Sequence, residues 1–145
     1  MSTEVSNHIM YLLATKAVDF ANDTFKIRLM ADGFTFDKDS HAEWSDCSAS
    51  ELANGNGYTT GGNTLSGVSV TEDDSNDRCS VAWSNSSWTA SGGDIGPSPG
   101  AVVIDDTVTD DPVVGYVDFG GDQTAADGAT GTIANIEFRL RQPSS

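Results

Sequence analysis

Between residues 24 and 31 apolar and polar positions alternate, with Phe25, Ile27 and Leu29 set against Thr24, Lys26 and Arg28. A period of two predicts a strand carrying large apolar side chains on one face and two cations on the other. The same period recurs at residues 79–84, where Val81 and Trp83 oppose Ser80 and Ala82. It returns at residues 136–141, where Ile136, Phe138 and Leu140 oppose Glu137, Arg139 and Arg141. Val102-Val103-Ile104 does not alternate, which predicts a strand buried on both sides. Leu65, Val68 and Val70 predict another strand, weakened or bulged at Gly67. Residues 113–119, VVGYVDF, predict one closed by Gly120-Gly121, and Trp88 marks a short one after a kink at Asn85-Ser86. Ile133 is out of register with Ile136 and Phe138, which predicts a bulge near Ala134 and Asn135.

A helical period occurs only near the start. Ile9, Met10, Leu13, Ala17 and Phe20 recur at spacings of three to four. They predict one short amphipathic helix within residues 7–22, capped by Ser6 or Asn7, that plugs one end of the domain. Residues 1–6 are polar and expected to be loose, and residues 142–145 are expected to fray.

Turn chemistry separates the strands. Asp32-Gly33 ends the first strand, and the polar loop of residues 37–46 holds Trp44 as an anchor. Gly55, Gly57, Gly61 and Gly62 surround Tyr58 and supply a tight entry to the next strand. Residues 71–78 and 105–112 are acidic turns, and residues 122–131 form another loop. Residues 92–100, GGDIGPSPG, hold four glycines and two prolines and are the most loop-like stretch. Ile95 stands alone in it as a candidate partner contact. Six to eight strands at about ten-residue spacing predict an all-β protein, an antiparallel β-sandwich with one short N-terminal helix. Residues 1–22 form the N-terminal segment and residues 23–142 the sandwich, within a single domain.

Length and charge narrow the partners. At 145 residues the chain suits one domain with a real core. It carries 22 Asp and Glu against 7 Lys and Arg, a formal charge of −15. Phosphate contacts need clustered cations, so nucleic acid is not an expected partner, and an anionic membrane surface would repel the chain. No apolar run approaches the roughly 20 residues of a membrane-spanning helix. The first 20 residues lack a basic region and have only a short apolar patch, so a secretory signal is not expected. Cys47 and Cys79 are therefore expected to be free thiols.

Candidate chemistry is sparse. His41 with Glu43 and Asp46 is the one cluster of catalytic residue types, and no nucleophile stands at a recognisable spacing from it, so an enzyme is not expected. Asp73, Ser75 and Asp77 alternate like part of a calcium loop, but the glycine and downstream glutamate of an EF-hand are missing. No cofactor or metal is expected. A calcium-stabilised adhesion module using Asp73, Asp77, Asp105, Asp106, Asp110 and Asp111 is an alternative. Four of the 7 cations, Lys26, Arg28, Arg139 and Arg141, lie on the polar faces of the first and last predicted strands. If those strands pair, the four make one basic docking face on an acidic body.

The order of motifs carries a resemblance. F-K-I-R-L-M is followed by F-D-K-D-S-H-A-E-W-S-D, then Glu51, then G-Y-T-T-G-G-N-T-L. V-A-W-S-N-S-S-W-T-A, A-V-V-I-D-D-T and V-G-Y-V-D-F-G-G-D-Q-T come after an acidic stretch. Over residues 20–135 this resembles a family of small tailed-bacteriophage virion proteins associated with capsid cement, or head decoration. Three features depart from it: Cys47 in place of an aliphatic residue, an apparent insertion at residues 92–100, and a more basic last strand. The resemblance implies a jelly-roll-like sandwich on the outer surface of the expanded head, assembled in the host cytoplasm. There it would bridge major capsid protein subunits as a homo-oligomer, a dimer or trimer. The alternative is a tail or fibre component that binds host-surface carbohydrate through Trp44, Trp83 or Trp88.

Overall fold

The computed structural model describes residues 1–141; the expected frayed tail at residues 142–145 lies outside them. In chain order the elements are β1 (Ser2–Val5), α1 (Asn7–Ala14), β2 (Phe25–Leu29), β3 (Asn63–Thr64), β4 (Ser69–Asp73) and β5 (Arg78–Trp83). There follow β6 (Ser86–Thr89), β7 (Ile95–Asp105), β8 (Val113–Ala125), β9 (Thr130–Ile133) and β10 (Ile136–Arg141). They build a five-stranded sheet in the order β1-β8-β7-β2-β3, a three-stranded sheet β10-β5-β4 and a two-stranded sheet β6-β9. All pairings are antiparallel. The protein is thus an all-β, sandwich-like fold with one short helix, as the alternation predicts.

The centre of the five-stranded sheet is buried on both faces. Phe25, Ile27 and Leu29 of β2 stand opposite Asp105, Val103 and Ala101 of β7. Phe25, Ile27, Leu29, Val103 and Ala101 share the main core with Val81, Trp83, Trp88, Ile136 and Phe138 from the two smaller sheets. Phe25 packs on Phe20 and Trp83 with ring centroids 5.4 Å and 5.1 Å apart. On the opposite face Met30, Val102, Ile104, Val113 and Tyr116 form a second cluster with Cys47, under Phe34, Phe36 and Trp44 of the long loop after β2. Ala101, Val102, Val103 and Ile104 are therefore all fully buried, as their unbroken apolar run predicts. Ile104 pairs with Val113 while Val103 pairs with Gly115, so Val114 is an extra residue and the strand bulges there.

Several expectations are corrected. Residues 2–5 are not loose: they pair with β8 from Ser2 opposite Asp118 to Val5 opposite Gly115. The helix stops at Ala14 rather than near residue 22, because Lys16 turns to a left-handed φ of 64°. Ser6 takes the cap position without a side-chain cap bond. The segment at residues 92–100 is not all loop, since β7 begins at Ile95. Gly120-Gly121 does not close β8, which runs on to Ala125. Ser98 pairs with Gln123 and Gly100 with Asp118, so residues 119–122 arch out of the ladder opposite a single β7 residue. The expected bulge at Ala134 and Asn135 is a change of sheet. Asn135, at φ 56°, lets β9 end beside β6 and β10 begin beside β5. Gly67, at φ 66°, performs the same switch between β3 and β4.

One buried carboxyl stands out. Asp105 is fully buried; its Oδ1 accepts the Thr107 N–H at 2.9 Å, and its Oδ2 meets no donor among the described residues. Burial and then the Asp23 carboxylate beside it push the Asp105 pKa up to about 7. Two facing acceptors have no bond between them until one carries a proton, which Asp105 then donates to Asp23. The folded chain therefore holds a proton that the unfolded chain releases near pH 4. The stability that this proton supplies is fully present below the ordinary carboxylate range and is lost as pH rises towards 7. Asp105→Asn keeps the Oδ1 acceptor and gives Asp23 a permanent donor. In urea unfolding the variant is expected to gain on the natural protein as pH rises, by on the order of 2 kcal/mol between about pH 5 and about pH 8. A difference that does not change with pH would contradict the account.

Candidate functional site

Alternation places Lys26 and Arg28 on the face of β2 opposite Phe25, Ile27 and Leu29, a face read from sequence as open to solvent. The structure covers it. Residues 31–51 fold across that face, and Ala31 N–H donates to Ser50 O at 2.7 Å and Leu52 N–H to Leu29 O at 2.9 Å. Arg28 is consequently buried. Its Nε donates to Gly61 O at 3.1 Å, and its guanidinium lies 4.5 Å from the centroid of the Trp44 ring. Arg28 therefore joins a clamp rather than a docking face, a correction with a tertiary cause. Trp44 does anchor the loop, as expected, and Arg28 is what it rests on.

The clamp continues through Tyr58. The Leu29 N–H donates to the Tyr58 hydroxyl at 3.1 Å, and that hydroxyl donates to Glu51 Oε2 at 2.8 Å. Gly61 N–H donates to the same Glu51 oxygen at 2.8 Å. Burial, with the Glu51 carboxylate next in effect, holds the Tyr58 hydroxyl above the usual phenol range, so it stays a donor. Gly62 passes so close to β2 that a Cβ there would sit 2.0 Å from Ile27 O, at a φ of 67°. Only glycine fits both demands.

The other expected docking residues separate. β2 lies in the five-stranded sheet and β10 beside β5 in another, so the first and last long strands do not pair. Lys26 is 3.8 Å from Asp106. Ile95 is 5% exposed and belongs to the main core, so it is not a surface contact. Its burial follows from β7 starting where a loop was expected. Arg139 and Arg141 remain exposed on β10, as their outward positions predict. They line a groove of about 980 Å³ that also takes in β1, Met10 and Lys38. Sequence reasoning missed Lys38 and β1. Asn7 N–H donates to Lys38 O at 3.1 Å, a link across the chain that no spacing announces.

The remaining candidates have structural roles. Trp83 and Trp88 are buried, and Trp44 is half-buried beneath the Arg28 contact. His41 Nδ1 accepts the Asp37 N–H at 3.0 Å, and its ring stacks on Phe34 at 5.4 Å. Asp46 Oδ2 accepts the Ala42 and Glu43 N–H groups, so it caps a turn. Asp73 bonds Ser75, Asn76 and Arg78 within its own hairpin. Among the described residues no group of three His, Cys, Asp or Glu side chains converges to hold a metal ion, and no helix is long and apolar enough to cross a membrane. Cys47 and Cys79 are free thiols; burial, with Asp46 adding to it, pushes the Cys47 pKa up to about 12, which leaves it unreactive. A second cavity of about 550 Å³, lined by Trp88, Ile95, Phe119 and Ile133, opens between β8 and β9.

No family model, curated protein or solved structure matches the chain.

Removing one atom tests the clamp. Tyr58→Phe leaves the buried Leu29 N–H without its acceptor and takes from Glu51 Oε2 one of its two donors, the Gly61 N–H remaining. It is expected to lower unfolding stability by about 1–3 kcal/mol. Amide exchange at Leu29 should speed up with it. An unchanged denaturation midpoint would mean that the loop is held by apolar packing alone.

Proposed function

We propose that the protein is a structural virion component. In this reading it is a cement protein that binds the outer surface of a tailed-phage head and bridges neighbouring major capsid subunits. The observation that carries this reading is the contrast between a closed, clamped body and an open cationic groove. The body has its catalytic residue types tied up in turns, and the groove leaves Arg139, Arg141 and Lys38 exposed. A protein so built is suited to attach to another surface. The segments that resemble phage cement proteins, residues 39–46, 57–65, 101–107 and 114–123, coincide with the clamp loop and the two strands it covers. The likeness therefore rests on residues that shape the body.

The physics of such a role is modest per copy. A shell under pressure from packed DNA is weakest at its subunit boundaries. A clip that buries about 800 Å² on each partner, repeated over many copies, adds strength there. Contacts that are weak singly become strong when a homo-oligomer engages several at once. The charge of −15 discourages self-association before docking. The carbohydrate-binding tail reading finds less support, because stacking on sugars needs an open indole face and all three tryptophans are buried or covered.

An image reconstruction of the mature particle tests the proposal. Density for the protein is expected on the outer head lattice, spanning capsid subunit boundaries. Density on the tail alone, or none on the particle, would overturn it.

A further inference from the structure

We propose that the groove between β1 and β10 takes an extended, acidic segment of the partner protein, which pairs along one of the two strands as an added strand. The inference rests on the reading of this chain as one that docks on another protein, and it names the surface and the chemistry it accepts.

Two observations carry it. The first is the pair of open sheet edges. β1 is the outermost strand of the five-stranded sheet and β10 the outermost of the three-stranded sheet, and both line the same groove. Neither has a ladder partner on its outer side among the described residues, and the two strands close on each other at the groove floor, so an added strand pairs with one of them only. An extended chain fits such an edge because its backbone N–H and C=O groups complete the ladder. Ser6 N–H donates to Val114 O at 2.9 Å, so along β1 the even positions turn towards β8. The odd positions, Thr3 and Val5, turn their backbone groups the other way.

The second observation is charge. Over the whole chain acids outnumber cations by 22 to 7. In the groove the ratio reverses: Lys38, Arg139 and Arg141 face Glu4 and Glu137. Glu137 is spoken for, since Arg139 Nε donates to its Oε1 at 3.0 Å and that bond, first among several causes, lowers its pKa. Lys38 and Arg141 form no ion pair among the described residues. Elsewhere Lys26 and Arg78 are paired, Arg28 is buried and Lys16 stands exposed by itself after the helix. Met10, 45% exposed, sets an apolar side chain beside the cations. A segment that alternates carboxylate and apolar residues meets both features, because a strand turns successive side chains to opposite faces.

The test uses the full-length protein and a fluorescein-labelled peptide of about ten residues alternating Glu and Val, so that it carries the period of a strand. Binding is read by anisotropy. The natural protein is expected to bind the peptide and to lose affinity as salt rises. Arg139→Glu with Arg141→Glu is expected to weaken binding about tenfold or more, and Lys38→Glu to weaken it less. Lys16→Glu, outside the groove, should leave it unchanged. Melting temperatures of the variants verify that each is folded. No binding by the natural protein, equal binding by the double variant, or equal binding of a Lys–Val peptide would overturn the inference. None of these outcomes depends on where the protein sits on a particle, so the head-lattice reading stands or falls separately.

Discussion

One phenol oxygen joins the central strand β2 to the long loop that follows it. Tyr58 accepts the N–H of Leu29 at the end of β2 and donates to Glu51, and Glu51 in turn holds Gly61. With Arg28 and Trp44 alongside, this short network keeps residues 31–51 pressed on the second face of the five-stranded sheet, while Tyr58 itself packs with the main core. The sheet can then be apolar on both faces, as fully buried Val102 and Ile104 require on one side and Ala101 and Val103 on the other. A buried polar chain of this kind is worth having only when every member is satisfied. Here each donor and acceptor named has its partner. What the clamp leaves open are the sheet edges, and β1 and β10 bring two of them to one place.

Where a strand's burial followed from its own alternation, the fold was legible in the chain. β2, β5 and β10 present Ile27, Val81 and Phe138 inward as the period of two predicts. Elements that depend on distant partners were not legible. β1 is four polar-leaning residues that become a strand only because β8 offers an edge. The start of β7, rich in glycine and proline, is held by Gln123 and Ala125 of β8 rather than by its own propensity. Left-handed residues at Lys16 and Asn135 ended a helix and switched a sheet where no glycine signalled it. The candidate site divides the same way. Arg139 and Arg141 are exposed because no described segment covers the outward face of β10, whereas Arg28, with the same outward parity, is buried because a loop crosses it. Parity gives the face of a strand but not what lies upon that face.

The acidic surface, the rigid two-faced sheet and the cationic groove combine in one account. In the proposed reading the charge keeps copies apart before docking, and attachment is left to the end of the sandwich where β1 and β10 line one groove. Asp105 adds a counterweight, since a carboxyl buried against Asp23 makes the body less stable as it ionises. Its place at the end of β7, within the β7–β8 turn region, separates it from the groove lining.

For the proposed docking on a phage head, the most direct measurement is amide hydrogen exchange of the protein free and mixed with expanded heads that lack it. The account predicts that binding slows exchange in β1 and β10, at residues 2–5 and 136–141, and leaves β2 and the centre of β7 as protected as before. Slowed exchange confined to β4, or to the cavity between β8 and β9, with β1 and β10 unchanged, would contradict it.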